Sequence, residues 1–159
     1  MLKVFFPFAV LSALAACSES PAPSAAVSPD AYFGMEIGGV PFRAQLAVSD
    51  AEKMRGLMFR ESLGENDAMI FVYAAPQRAS FWMKNTLIPL DIGFVDASGT
   101  LTEVKKLYPQ NLDSVKSSRS DIAYCIEANA GWFAKNRVGV SAKLDLSKLE
   151  KALKSRGAK

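Results

Sequence analysis

The fold of this chain is decided by residues 81–95, which read FWMKNTLIPLDIGFV. This stretch is strongly apolar and aromatic, yet it carries a lysine, an asparagine, a threonine and an aspartate near its middle. Pro89 biases the preceding residue toward extended backbone, so the pattern predicts two strands joined by a connection. If those strands pair as a hairpin, Lys84 and Asp91 lie close together. The polar groups then either lock the core or line a site.

The flanking sequence predicts further strands and a capped helix. Residues 68–73 form a continuous apolar run of strand length, which fits a strand covered on both faces. Gly38 and Gly39 separate two strand-like segments, a signal for a tight hairpin. Ser49 stands three residues before Glu52, which is the spacing of a capping box at a helix start.

Many short strands with two or three short helices predict a single α+β domain, dominated by antiparallel sheet. A partly closed barrel is the alternative arrangement. We expect the domain to span residues 32–146, with a long loop at 108–119 and a last strand at 137–144. Residues 147–159 are predicted to form a short basic helix or tail.

Composition excludes several classes of function. The 159 residues include no histidine, so Ser-His-Asp and Cys-His catalysis and histidine-ligated metals are excluded. The net charge of +3, without a run of Lys and Arg, gives no support for nucleic-acid binding. The two cysteines, Cys17 and Cys125, do not make a disulfide framework. No cofactor is predicted.

The N-terminal segment predicts export and a lipid anchor. Residues 1–16 combine Lys3 with an apolar stretch too short to span a bilayer, as in a secretory signal peptide. Residues 14–17, LAAC, resemble the lipobox of bacterial lipoproteins. The resemblance implies cleavage before Cys17, lipid attached to its sulfur and acylation of the new N-terminus. Several acyl chains together give stable anchoring in a membrane.

Residues 17–31 are rich in proline, serine and alanine and predict a tether to the membrane. The protein is therefore expected in the bacterial cell envelope, facing the periplasm. Ser18 follows the cysteine, which resembles the sequence of lipoproteins sorted to the outer membrane rather than the inner membrane. Expected partners are the membrane, through Cys17, and a small anionic ligand or an envelope protein.

Four segments carry a resemblance to a known family. They read RGLMFR at 55–60, MIF at 69–71, FWMKNT at 81–86 and IPLD at 88–91. Together they resemble the signature of the family called domain of unknown function 192. The resemblance implies a small, mainly β domain that is often exported from bacteria. It implies no established activity.

The polar centre of residues 81–95 gives the candidate binding site. One interpretation is a structural Lys84–Asp91 pair, with nearby polar side chains satisfying turn backbone groups. The other is a cationic pocket for a small carboxylate- or phosphate-bearing ligand, since arginine forks suit such anions. The predicted ligand-binding residues are Arg55, Arg60, Trp82, Lys84, Asn85 and Asp91.

Two other functions remain open from the sequence. Thioether and thiolate ligands suit Cu(I), which would use the sulfur atoms of Met54, Met58, Met83 and Cys125. A hydrolase of the envelope would use a pair of carboxylates from Asp67, Asp91, Asp121 and Glu127. The thiol of Cys125 lacks an activating histidine, and its neighbour Glu127 would raise its pKa. The pattern therefore favours a binding or accessory module over an enzyme.

Overall fold

A computed structural model describes residues 27–158 of the chain. The predicted signal peptide, the lipidation site at Cys17 and most of the tether lie outside the described residues. The strands are β1 (Phe33–Ile37), β2 (Val40–Ala47), β3 (Asp67–Gln77), β4 (Ser80–Phe81), β5 (Leu90–Asp96), β6 (Leu101–Leu107), β7 (Val115–Lys116) and β8 (Ile122–Asn129). The helices are α1 (Asp50–Arg55), α2 (Trp132–Lys135) and α3 (Leu146–Ser155).

Six strands form one sheet in the order β1-β2-β3-β8-β5-β6, and β4 pairs with β7 in a small second sheet. Neighbouring strands of the large sheet are antiparallel, except that β2 and β3 run parallel. The predicted α+β fold with mostly antiparallel sheet is therefore confirmed. The sheet does not close into a barrel.

The large sheet is buried on both faces. In β3, Ala68 and Ile70 belong to one apolar cluster, whereas Met69 and Phe71 belong to the other. The first cluster includes buried residues of α2 and α3, and the second lies under the segments that precede β5. Side chains alternate across a strand, so a run that is apolar at every position fills both clusters. The prediction for residues 68–73 is confirmed.

The local turn and cap signals are also present. Gly38 and Gly39 have φ of 58° and 80° between β1 and β2, a conformation that glycine adopts without strain. The Ser49 hydroxyl accepts the backbone N–H of Glu52, and the Glu52 carboxylate accepts the backbone N–H of Ser49 at 2.8 Å. This reciprocal capping box begins α1 at the predicted position.

The predicted strand at 137–144 is not formed. Arg137 has a φ of 57° just after α2, and only isolated bridges follow, from Lys143 to Thr100 and from Leu144 to Ile37. The segment therefore touches β1 at one edge of the sheet and the start of β6 at the other. These two contacts are isolated bridges and not a continuous ladder.

Residues 81–95 do not form a hairpin. Phe81 ends β4, which pairs with β7 inside the segment predicted to be a loop, while β5 pairs with β6 and β8. Residues 82–89 therefore connect two sheets.

At the other end of the chain α3 packs against the sheet through buried Leu149 and Ala152. Within residues 27–158, no helix is long and apolar enough to span a bilayer.

Candidate functional site

A cavity of about 720 Å³ lies between α1, the second half of β3 and the segment from Arg78 through β4 to Trp82. Its volume falls within the range of small-molecule sites. Four aromatic side chains contribute to its wall, namely Phe71, Tyr73, Phe81 and Trp82. The rings of Phe71 and Phe81 pack edge to face, with centroids 4.9 Å apart. This apolar wall suits the body of an organic ligand.

The helix α1 forms the side of the cavity that carries charge. Gly56, with a φ of 46°, ends the helix, and Leu57 anchors the chain behind it in the core. Arg55 therefore stands at the exposed end of α1, on the cavity. Two residues earlier, Lys53 pairs with Asp50 at 3.2 Å and lies 5.7 Å from the centroid of the Tyr73 ring.

Two arginines on the cavity have no anionic partner. Arg55 and Arg78 are both exposed, and within residues 27–158 neither side chain forms an ion pair or a hydrogen bond. By contrast, Arg43, Arg119 and Arg156 are each held by a carboxylate. Free guanidinium groups beside an aromatic wall are suited to bind a carboxylate or phosphate.

Glu127 places a carboxyl group in the wall of the same cavity. It lies near the centre of the sheet on β8, opposite Met69 of β3 and Ile92 of β5, and its side chain is 5% exposed. Its carboxyl group forms no hydrogen bond with another residue among residues 27–158. Burial raises the pKa of Glu127 to about 8 because the charged form is poorly solvated there. At neutral pH the group is mainly a neutral acid.

Two further titratable groups adjoin Glu127. Burial raises the pKa of Tyr73 and the pKa of Cys125, and the charge of Glu127 raises both further. Cys125 is fully buried, so it is a protonated, inert thiol at neutral pH. The predicted direction of its pKa shift is confirmed.

The predicted ligand-binding residues divide between the cavity and its surroundings. Arg55 and Trp82 line the cavity, and Trp82 is 46% exposed at its mouth. Arg60 instead donates hydrogen bonds to Gln45 and to the Tyr32 hydroxyl. Of these three predicted ligand-binding residues, two therefore lie on the cavity, whereas Arg60 connects neighbouring segments of the chain.

Lys84 and Asp91 do not meet. The Lys84 ammonium lies 5.2 Å from the centroid of the Trp82 ring, whereas the buried Asp91 carboxylate accepts the backbone N–H of Gly131 at 2.8 Å. The second carboxylate oxygen of Asp91 has no hydrogen-bond partner among the described residues. Because β4 and β5 do not pair, the hairpin that would have joined Lys84 to Asp91 is absent from residues 27–158.

Asn85 belongs to a set of three linked loops beside the cavity. It has a φ of 57°, and Phe59 and Gln110 in the other two loops have φ of 64° and 61°. The Phe59 backbone N–H donates to the Asn85 carbonyl at 2.8 Å, and the Gln110 N–H donates to the Thr86 carbonyl at 3.1 Å. Left-handed backbone is uncommon outside glycine and often marks functional sites.

We call the surface of these loops, residues 57–60, 82–87 and 108–112, the loop face. It exposes five large apolar side chains, namely Phe59, Trp82, Leu87, Tyr108 and Leu112. Apolar surface held outward by linked loops of this kind is typical of binding surfaces.

The residues considered for copper and for hydrolysis are dispersed. Met54 and Met58 line the cavity, whereas Met83 and Cys125 are buried in the core. Among the candidate acids, Asp67 pairs with Arg43, and Asp121 pairs with Arg119. Glu127 is the one of the four proposed acids that lines the cavity. No group of three or more Cys, Asp or Glu side chains within residues 27–158 is arranged to hold a metal ion.

Sequence reasoning missed Arg78 as a site residue and left Glu127 among scattered acids. The available signal for Glu127 was a carboxylate inside the otherwise apolar strand 122–128. Arg78 carried no local signal, since it follows Pro76 in a segment whose position depends on long-range pairing.

Comparison with known proteins identifies relatives of the fold. The sequence model of domain of unknown function 192, DUF192, described as an uncharacterized ACR, matches residues 34–146. A protein of unknown function from Novosphingobium aromaticivorans DSM 12444 is 31% identical with a TM-score of 0.69, covering 76% of this chain and 91% of that chain. A structure described as a candidate transcription regulator from Sinorhizobium meliloti 1021 is 26% identical with a TM-score of 0.69, covering 72% and 93%. No curated protein matches the chain.

Proposed function

We propose that this chain, which belongs to the DUF192 family, is a lipid-anchored module of the cell envelope. It binds a small organic anion in the cavity beside α1. The observation that carries the proposal is the presence of Arg55 and Arg78 on the cavity without carboxylate partners among the described residues. A guanidinium group binds a carboxylate or phosphate through directed, charge-assisted hydrogen bonds.

The wall of the cavity defines the rest of the ligand. Phe71, Phe81 and Trp82 present ring surface, which suits an aromatic or other flat apolar body. Lys53 is already paired with Asp50, so the arginines are the cations available to the ligand. The proposed ligand class is therefore an aryl or similarly apolar carboxylate or phosphate.

The test uses benzoate and phenyl phosphate, with benzyl alcohol as the uncharged control. Isothermal titration of the full-length protein in detergent should detect both anions and should detect benzyl alcohol weakly or not at all. Arg55→Ala and Arg78→Ala should each weaken anion binding by roughly three- to tenfold, from loss of a charge-assisted hydrogen bond. Lys106→Ala, an exposed cation away from the cavity, should bind like the parent. Equal affinity for anions and alcohol would overturn the proposal.

The location is proposed from the sequence of residues 14–18, and the predicted anchor is Cys17. Cell fractionation after expression should place the parent protein in the membrane and Cys17→Ser in the soluble periplasmic fraction. Separation of the two membranes by density should place the parent in the outer membrane. A Cys17→Ser variant that stays with the membrane would refute lipid anchoring.

A second candidate function is docking of an envelope protein on the loop face. The exposed aromatic side chains of Phe59 and Tyr108 favour it, since aromatic residues are enriched at protein interfaces. A photo-crosslinking amino acid at position 108 in intact cells should give a discrete adduct that Phe59→Glu removes. The same amino acid at position 154, exposed on α3, should give no such adduct.

A further inference from the structure

Glu127 is the one carboxyl group on the cavity wall that is more than nine-tenths buried. Its carboxyl oxygens form no hydrogen bond with another residue among residues 27–158, and they are not among the fully enclosed polar atoms, so they open onto the cavity. A molecule bound in the cavity can therefore reach the Glu127 carboxyl group.

We propose that Glu127, as a neutral carboxylic acid, donates a hydrogen bond to an uncharged acceptor oxygen of the ligand, such as a carbonyl oxygen. The ligand class is then an organic anion that carries a second, neutral acceptor. This inference rests on the proposed function, in which Arg55 and Arg78 bind the anionic group in the same cavity.

The distribution of solvent decides which end of the ligand meets Glu127. Arg55 and Arg78 are exposed, so an anionic group bound to them keeps part of its hydration. An anionic group placed against the buried Glu127 would lose that hydration, at a high cost in free energy. A neutral acceptor loses far less, so it is the group that fits the inner wall.

The surroundings of Glu127 supply no competing charge. Met69 and Ile92, its neighbours in the sheet, are apolar. The adjoining Tyr73 and Cys125 have raised pKa values and stay neutral near pH 7. Lys53 on α1 lies over the Tyr73 ring and pairs with Asp50. Asp50 and the two arginines complete the charged groups on the cavity.

A cationic ligand group at Glu127 is disfavoured by the mouth of the cavity. An ammonium group would share the cavity with Arg55 and Arg78, and like charges repel in a partly desolvated site. The affinities of the two types of ligand change with pH in opposite directions. A neutral acceptor needs protonated Glu127, whereas an ammonium group needs the ionised form.

The test compares two probes of matched shape, 4-acetylbenzoate and 4-isopropylbenzoate, by isothermal titration of the full-length protein in detergent. The first carries a carbonyl acceptor and the second does not. The parent should bind 4-acetylbenzoate about fivefold more tightly, as expected for one hydrogen bond. That affinity should fall about three- to fivefold between pH 7 and pH 9, because this hydrogen bond is lost as Glu127 loses its proton.

Two variants distinguish the effect of the hydrogen-bond donor of Glu127 from the effect of its negative charge. Glu127→Gln keeps a donor and should retain the preference without the fall between pH 7 and pH 9. Glu127→Leu should bind both probes equally, and circular dichroism checks that it is folded. A preference that survives in Glu127→Leu, a fall with pH that survives in Glu127→Gln, or affinity that rises with pH would overturn the inference.

Failure of the two proposals gives different results. Equal, Arg55-dependent binding of both probes by the parent would overturn the role of Glu127 and leave the anion site standing. Absence of binding of either probe would overturn the anion site and, with it, the inference.

Discussion

Arg156, just beyond the end of α3, forms an ion pair with Glu52 of α1, and the two side chains are only 7% and 22% exposed. The same guanidinium donates to the carbonyl oxygens of Leu46 and Pro29 at 3.1 and 3.3 Å. One side chain thus connects the C-terminal helix, β2, the start of the described chain and the helix that forms the charged side of the cavity. The position of α1, and hence of Arg55, depends on it.

Replacing Arg156 with Ala should lower the free energy of unfolding by about 3 kcal/mol, since it leaves Glu52 without its partner in a mostly buried site. Urea denaturation followed by circular dichroism measures the change. Lys154→Ala is the matched control because Lys154 is exposed on the same helix and has no ion pair within residues 27–158. Equal stability of the two variants would show that the Arg156–Glu52 pair contributes nothing.

The stability of the protein should fall in acid through Glu52. Burial raises the pKa of Glu52, but hydrogen bonds from the backbone of Ser49 and Val48 and from Arg156 outweigh this effect and hold it at about 2. The folded pKa lies below the ordinary glutamate value of 4.5, so this contribution is present above about pH 4.5 and is lost as pH falls toward 2. Its size is about 3 kcal/mol. Denaturation midpoints at pH 5 and pH 2.5 should differ less in Glu52→Gln than in the parent.

Glu127 should have the opposite effect on stability. Its folded pKa of about 8 lies above the ordinary glutamate value of 4.5, so the folded state holds the extra proton between these values. The free energy of unfolding therefore falls as pH rises from 4.5 to 8, by a total on the order of 4 kcal/mol. Glu127→Gln cannot lose this proton. Its stability relative to the parent should increase from pH 5 to pH 8.5, and a constant difference in urea denaturation would contradict the burial of the carboxyl group.

Gly93 of β5 should tolerate no side chain. A Cβ atom at this position would lie 2.7 Å from the Cζ atom of Phe133 and 2.9 Å from the Cδ1 atom of Leu101. Both neighbours are in the core, so Gly93→Ala should lower the free energy of unfolding by about 1–3 kcal/mol through overpacking. Gly34→Ala is the control, since a Cβ atom there has no neighbour within 4 Å. Thermal melts should separate the two variants, and equal melting temperatures would contradict this packing.

The local features of the fold could be predicted because each depends on a few adjacent residues. The Gly38–Gly39 turn and the capping box of Ser49 and Glu52 follow from backbone conformation and from hydrogen bonds within four residues. The two-sided burial of residues 68–73 follows from their continuous apolar character. The mostly antiparallel α+β class follows from the number of such short elements.

The pairing of distant strands could not be predicted in this way. The parallel pairing of β2 with β3 and the antiparallel pairing of β4 with β7 join segments whose local patterns suit several partners. For the same reason the sequence could not decide whether the strands around Pro89 pair as a hairpin, the condition on which a Lys84–Asp91 contact depended, and the structure forms neither. Arg55 and Trp82 lie in the segments that resemble the family signature, so they could be named as candidates from the sequence. Arg78 lies outside these segments and reaches the cavity only through long-range packing.

The segment at 141–145 has a consequence for association of the protein with itself. It bridges Ile37 at one edge of the sheet and Thr100 at the other, and α3 packs beside β1. Unpaired backbone at a sheet edge is a template on which another chain can add a strand. Here both edges are partly occupied by the chain's own backbone. Copies of the protein held close together therefore have less free edge backbone on which to add a strand.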